Sequence, residues 1–352
     1  MRILITGGAG FVGSNLALLF AQQGGNEIIC LDNLKRRGSE LAVTRLSAAG
    51  IAFQHGDIRS VADIESVGPF DLLLECSAEP SVHAGYGGSP AYLIDTNLVG
   101  TVNCLEAARK REAAVVFLST SRVYPIAGLR QLPLERVGQR LDIKHGASGP
   151  GWSPAGISTD FPLKGSRSLY GATKLASELL IEEYVSMYGL RAVINRCGVL
   201  SGPWQMGKVD QGFIVFWASR HLYGGKLAYM GFGGEGLQVR DVLHVRDLFE
   251  LICIQIGEWS KHTGQIYNVG GGHEQSVSLA ELSDLCRDRA GWAPVYSRDP
   301  ETRQADIPYY ITDNSEVIRQ TGWRPAISVG RLLDEIFAWL RDNRAQLEPI
   351  LR

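Results

Sequence analysis

The run Ile5–Asn15, ITGGAGFVGSN, decides the fold. Gly7, Gly10 and Gly13 are spaced GxxGxxG, between the apolar run RILIT and the helical pattern FVGSNLALLFAQQG. Glycines at a strand-to-helix junction let the chain turn tightly and bring backbone N–H groups up to a pyrophosphate at the positive helix end. A bare glycine triplet is weak evidence. The full dinucleotide pattern also needs a strand, a helix and an acid about twenty residues on. Asp32, after IICL, supplies the acid. It can accept hydrogen bonds from both ribose hydroxyls and repels a 2′-phosphate, so NAD is expected rather than NADP. Arg36 and Arg37 partly offset that preference. The alternative reading is a glycine-rich turn with no ligand.

Outward from this run the chain alternates. EIICLD, IAFQHGD, FDLLLEC and AAVVFLSTS read as further strands, and SPAYLIDTNLVGTVNCLEAARKRE as one of the helices between them. Short apolar strands alternating with amphipathic helices predict an α/β fold, a Rossmann-type doubly wound parallel sheet. From about Tyr124 to Ser168 the rhythm breaks into Gly and Pro, which predicts a long lid or binding loop. The helix SLYGATKLASELLIEEYVSMYG, stopped by Gly189, and the strand RAVINRCGVL then resume the pattern. After about Pro203 the texture shifts to helices mixed with short strands such as KLAYMG and GQIYNVGG. The expected division is a cofactor domain over 1–203, with an insertion at about 125–168, and a smaller mixed α/β substrate-binding region over 204–352 that returns some elements to the large domain.

Composition narrows the class. The chain has 352 residues, 45% hydrophobic, with a formal net charge of -2 and no basic face, so nucleic acid is not an expected partner. No apolar run approaches the roughly 18 residues of a spanning helix, and the N-terminus lacks signal-peptide texture, so the expectation is a cytoplasmic protein without a membrane partner. The six cysteines lie far apart with no CxxC pair, and no His, Cys or acid cluster has metal-ligand spacing. They read as buried small hydrophobes, and no metal is expected.

The strand AAVVFLSTS ends in the hydroxyls Ser119, Thr120 and Ser121, and ligands of a parallel sheet bind outside the carboxyl ends of its strands. Tyr170 and Lys174 lie four apart on one helical face. With the glycine fingerprint and Thr120, the pair makes the chain resemble the extended short-chain dehydrogenase/reductase family, which includes the NAD-dependent nucleotide-sugar epimerases. The resemblance covers nearly the whole chain. It implies Tyr170 as acid/base, Lys174 as the cation that lowers the Tyr170 pKa and holds the nicotinamide ribose, and Thr120 as hydrogen-bond partner of the reacting hydroxyl. Tyrosine is a poor base at its reference pKa near ~10, and a nearby positive charge favours the phenolate. The cofactor set is then Gly7, Gly10, Phe11, Val12, Gly13, Asp32, Asn33, Asp57 and Ile58 beside the adenine, Ser77 and Ala78 after the fourth strand, Asn97, Tyr170 and Lys174. Asn97 has the equal alternative of a capped polar residue in a helix.

Two residues separate reactions. Sugar 4,6-dehydratases resemble this chain but usually carry Asp-Glu after the Thr, whereas here Ser121 and Arg122 follow Thr120. Arginine stays protonated and is no base. GLQVRDVLHVRDL and RQADIPYYITD resemble the family's diphosphate segments, with Arg240, Arg303 and the neighbouring Asp306 as candidates. Planar guanidinium binds phosphate bidentately, although surface ion pairing is the plain alternative for each arginine. KVDQGFIVFW and the insertion resemble the CDP-tyvelose (CDP-paratose) 2-epimerases, adding Ser121, Arg122, Asn195, Gln211 and Gly212 to the expected substrate contacts. Asp210 reads equally as the cap of the following helix. VYP in place of VYG, and NRCGVLSGP, depart from the pattern around the sugar pocket. The resemblance implies a nucleotide-diphosphate sugar substrate, C2 epimerisation and a homodimer or homotetramer. The alternatives are a 4-epimerase or another NAD-dependent sugar-nucleotide oxidoreductase, and a catalytically silent NAD-binding sensor.

Overall fold

Seven runs form one sheet in the computed structural model, which describes residues 1–209 and 211–352. They are β1 (Arg2–Thr6), β2 (Glu27–Asp32), β3 (Ala52–His55), β4 (Leu72–Glu75), β5 (Ala114–Thr120), β6 (Ala192–Cys197) and β7 (Ile266–Val269). The spatial order is β7-β6-β5-β4-β1-β2-β3, with parallel registers such as Ile5↔Cys30 and Leu74↔Val116. The order reverses between β1 and β4, the switch point where a doubly wound sheet binds its ligand. Both faces carry helices, so β5 is apolar from Ala114 to Leu118 and buried throughout, its two closing hydroxyls included. On one face Leu73, Val115, Phe117 and Ile194 pack with Leu105, Ala108 and Ile181 from two covering helices.

The chain divides into two compact units that interleave along the sequence. One comprises Met1–Val123, Ser168–Cys197 and Leu248–Tyr267; the other comprises Tyr124–Arg167, Gly198–Asp247 and Asn268–Arg352. The second unit is mixed α/β. Val239–His244 pairs in parallel with Val199–Ser201 and Tyr309–Tyr310, and antiparallel with Ser276–Ser278. Helices Phe213–Tyr223, Leu279–Ala290 and Val329–Asp342 accompany these strands. Leu279–Ala290 begins with a full capping box between Ser278 and Glu281.

The stretch expected as a long loop carries regular structure instead. A short helix, Ile126–Arg130, is followed by the hairpins Leu134–Val137/Arg140–Ile143 and Trp152–Ser153/Gly156–Ile157. Short two-stranded pieces leave little periodicity to read, and their partner lies far off in sequence. The Ile157 N–H donates to the Ile311 carbonyl (2.8 Å), and the Ile157 carbonyl accepts from the Asp313 N–H (3.0 Å). Among the described residues no helix is long and apolar enough to cross a membrane.

Candidate active site

The glycine loop is shaped by sterics. Gly7 has φ +65°, and a Cβ there would sit 2.8 Å from the Cys76 carbonyl carbon. A Cβ on Gly13 would lie 2.3 Å from the Gly7 carbonyl oxygen. The first helix, Phe11–Gln23, starts after Gly10 with no side chain capping it, and Phe11 and Val12 form its first turn. Its leading N–H groups therefore face outward for an anion. Gly13→Ala is expected to weaken NAD binding about 10–100-fold, because overpacking costs about 1–3 kcal/mol; a fluorescence titration checks it.

Asp32 ends β2, where its carboxylate accepts from Ala9 N–H (3.1 Å) and Leu34 N–H (2.8 Å). It braces the glycine loop while burial raises its pKa. Asn33 donates to Asp57 (2.9 Å), and Arg59 forks onto the same carboxylate (3.0 and 2.8 Å), holding Asp57 down at about 2. Ile58 is buried against Gly100, where a Cβ would meet Ile58 Cδ1 at 2.6 Å. Ser77 and Ala78 follow β4, half-buried beside the Gly7 turn.

Asn97 lies in a π turn, Asp95–Val99, inserted between helical segments Ala91–Ile94 and Gly100–Lys110. Its amide bonds both backbone groups of Glu79 (2.8 and 3.1 Å) and the Thr173 hydroxyl (3.4 Å). Its carbonyl is approached by the Thr101 and Ser177 hydroxyls, 3.0 Å each. Fully buried, Asn97 ties the loop after β4 to the helix bearing Tyr170. Sequence periodicity showed one helix here and no trace of the π turn.

Helix Leu169–Tyr188 is started by Ser168, whose side chain accepts from Gly171 N–H, and stopped by Gly189 at φ 66°. Tyr170 is half-buried in its first turn and Lys174 follows one turn on, 2% exposed. Burial pushes the Tyr170 phenol up to about 12, opposed by the nearby Thr120 hydroxyl and by the charge of Arg122. Thr120 closes β5, and its hydroxyl also accepts from Arg122 N–H (3.2 Å). Ser121 and Arg122 form the tight turn Ser121–Val123. The Lys174 ammonium sits 4.3 Å from the centre of the Phe117 ring and has no hydrogen-bond partner among the described residues. Burial lowers its pKa and Glu75 opposes this most strongly.

One residue expected at the substrate is engaged elsewhere. Asn195 is buried in mid-strand β6 and exchanges two amide hydrogen bonds with Gln255 (2.9 and 2.8 Å). That pair satisfies two buried amides against each other, which makes Asn195 part of the core. Strand position alone carried no sign of the partner sixty residues on.

The remaining candidates belong to the second unit. Arg240 donates to the carbonyls of Val239 and Ile307, 2.7 Å each. Arg303 is exposed and touches Met230 Sδ (3.3 Å). The turn from Arg303 to Asp306 is closed by Asp306 N–H on the Arg303 carbonyl (3.1 Å) and held by Arg130, which donates to both carbonyls. Nothing in the motif reading pointed to Arg130. Gln211 pairs its backbone with Lys208, and Gly212, φ 65°, caps helix Phe213–Tyr223. Asp210 lies outside the described residues.

Residues 3–270 match the model of the NAD dependent epimerase/dehydratase family. The chain belongs to that family. CDP-paratose 2-epimerase of Salmonella typhi is 29% identical over 351 residues, spanning 96% of this chain and 99% of that protein. dTDP-glucose 4,6-dehydratase of Streptomyces niveus is also 29% identical, over 361 residues, spanning 99% and 96%. The dTDP-glucose 4,6-dehydratase of Streptomyces venezuelae, solved with NAD bound, superposes with a TM-score of 0.79 at 27% identity over the full length of both chains. Membership makes this chain an enzyme of the NAD-dependent epimerase kind with NAD as cofactor. Its own features fit that cofactor: a loop closed to any Cβ at Gly7 and Gly13 and, among the described residues, a helix start with no side-chain cap and a buried ammonium with no hydrogen-bond partner.

Proposed function

We propose that this enzyme epimerises a nucleotide-diphosphate sugar, at C2 of a CDP-hexose or CDP-dideoxyhexose. The observation that carries the reading is Thr120, which closes β5 within reach of the Tyr170 phenol, with Ser121 and Arg122 directly after it. This favours epimerase over dehydratase, because the always-charged Arg122 stands where water elimination needs an acid or base. Similarity across the chain to CDP-paratose 2-epimerase supports the choice of C2.

Bound NAD supplies the hydride acceptor for oxidation of the ring carbon and the donor for its return, so the cycle has no net redox change. Tyr170 takes the hydroxyl proton during oxidation and gives it back during reduction. Thr120 hydrogen-bonds the same oxygen and keeps it in line with the phenol. Lys174 holds the cofactor's ribose and contributes positive charge. The glycine loop and first helix would hold the pyrophosphate, Asp32 the adenine ribose, Asn33, Asp57 and Ile58 the adenine end, and Ser77 and Ala78 the passage beyond it, with the buried Asn97 bracing that loop from behind. Arg240 and Arg303, the latter beside Asp306, anchor the sugar's diphosphate, with Gln211 and Gly212 nearby in the substrate segment. A homodimer or homotetramer is the expected assembly.

Incubation with CDP-glucose or a CDP-dideoxyhexose, without added NAD, is expected to interconvert C2 epimers. Deuterium at C2 is expected to slow turnover and to return to C2 without washing out into solvent; a C4-epimeric product with the isotope effect arising from deuterium at C4 instead identifies a 4-epimerase. No turnover across CDP, GDP and UDP sugars sinks the reading.

A further inference from the structure

Four charged side chains are buried around the Tyr170 helix: Glu75, Lys174, Glu178 and Arg196. Glu178 and Arg196 are matched, with Arg196 Nη2 2.7 Å from Glu178 Oε2 and Nε within 3.1 Å of both oxygens. That leaves one buried carboxylate and one buried ammonium. Glu75 is the last residue of β4, and its register partners are Thr6 on β1 and Phe117 on β5. Register partners share a face, and the Phe117 ring carries the Lys174 ammonium at 4.3 Å. Glu75 and Lys174 therefore lie on the same face of the sheet, on either side of Phe117. Glu75 Oε1 accepts from the Thr101 hydroxyl (2.8 Å), whereas Oε2 is buried without a hydrogen-bond partner among the described residues. An isolated buried carboxylate is costly unless an opposite charge compensates it.

We propose that Glu75 is the counter-charge that keeps Lys174 protonated, a positioning residue that acts through Lys174. This rests on the reading of Lys174 as the group that holds the cofactor. Mutual stabilisation is visible from both sides: Glu75 is the largest influence raising the Lys174 pKa against burial, and Lys174 is the largest lowering that of Glu75. The other titratable groups bearing on the pair are Cys76 just after β4, Cys104 on helix Gly100–Lys110, Cys197 on β6, and Glu178 on the Lys174 helix. Burial pushes Cys76 and Cys104 far up, so both stay neutral, and Glu178 is already paired with Arg196. Thr101 and Ser177, both set against the Asn97 carbonyl, join the carboxylate's support to the helix that bears Lys174.

The test is NAD affinity of the nucleotide-free full chain, measured by tryptophan fluorescence from about pH 6 to about pH 10. The wild type binds NAD through protonated Lys174 and loses affinity as pH rises through its pKa. Glu75→Gln removes the counter-charge, and the midpoint is expected to move down by about one pH unit or more. On the alkaline limb that is about tenfold weaker binding. Lys174→Met is expected to bind weakly with no such limb. A flat Lys174→Met profile beside an unmoved Glu75→Gln midpoint overturns the counter-charge and leaves the role of Lys174 standing. A wild-type limb that persists in Lys174→Met overturns both. Thr101→Val, which removes only the hydroxyl holding Glu75, takes the place of Glu75→Gln if that variant does not fold. It is expected to move the midpoint the same way by less, and no movement overturns the proposal.

Discussion

Tyr170→Phe is expected to lower kcat by about 10²–10⁴-fold, the range for loss of a positioned acid/base, while NAD binding persists. The ring and its packing remain and only the oxygen that exchanges the proton is lost. The pH profile makes the assignment specific. Burial holds the phenol up near about 12 in the protein alone, with Thr120 and Arg122 pulling it down. The base form is the phenolate, so the rate of the oxidation step is expected to rise about tenfold per pH unit until the working pKa is reached. Tyr170→Phe is expected to show no such rise. Thr120→Val keeps the phenol but removes the neighbouring hydroxyl that favours its ionised form, so its rising limb is expected to shift to higher pH. If Tyr170→Phe retained wild-type turnover, or kept the pH limb, the acid/base would have to be sought elsewhere. Steady-state kinetics over a pH series checks both variants.

The legible parts of this protein were those with local signatures. GxxGxxG followed by Asp32 marks a strand, a tight turn and a helix within about thirty residues, which is enough to recognise a βαβ unit. Alternation of apolar strands with helices then predicted the parallel sheet, whose strand order reverses between β1 and β4. Thr120 sits at a strand end and Tyr170 and Lys174 sit one turn apart, so short-range spacing sufficed to select them. What escaped notice depends on partners remote in sequence. Asn195 finds Gln255, the insertion finds the 311–313 backbone, and Arg130 finds the turn at Arg303 to Asp306. The π turn at Asp95–Val99 escaped because one extra residue per turn hardly disturbs an apolar periodicity. Glu75 did leave a trace, an acid closing the otherwise apolar run LLLE in a buried strand. A charge in such a place predicts a partner but does not name it.

Glu178→Leu is expected to destabilise the fold by about 3–5 kcal/mol, because it takes away the carboxylate that balances the buried Arg196 charge. The side chains of Arg196 and Glu178 are 5% and 1% exposed, so water cannot replace the lost carboxylate. The Ser119 hydroxyl, hydrogen-bonded to Glu178 in the same pocket, loses its partner as well. The second substitution decides the cause. If the loss comes from a guanidinium stripped of its counter-charge, then Glu178→Leu combined with Arg196→Met, which makes the pocket apolar at both ends, is expected to recover much of it. If instead the loss comes from strand and helix packing around Glu178, the double variant is expected to be at least as unstable as the single one. Two units make a single unfolding free energy ill-defined, so the measurement is the denaturant midpoint of the transition that exposes the sheet, followed by hydrogen exchange of β5 and β6 amides. The pair also bears on chemistry: Glu178 follows Lys174 by one turn of the same helix and adds to the groups that raise its pKa. Losing Glu178 without Arg196 leaves an extra buried cation near that ammonium, so the alkaline limb of NAD binding is expected to move down in the single variant and partly back in the double.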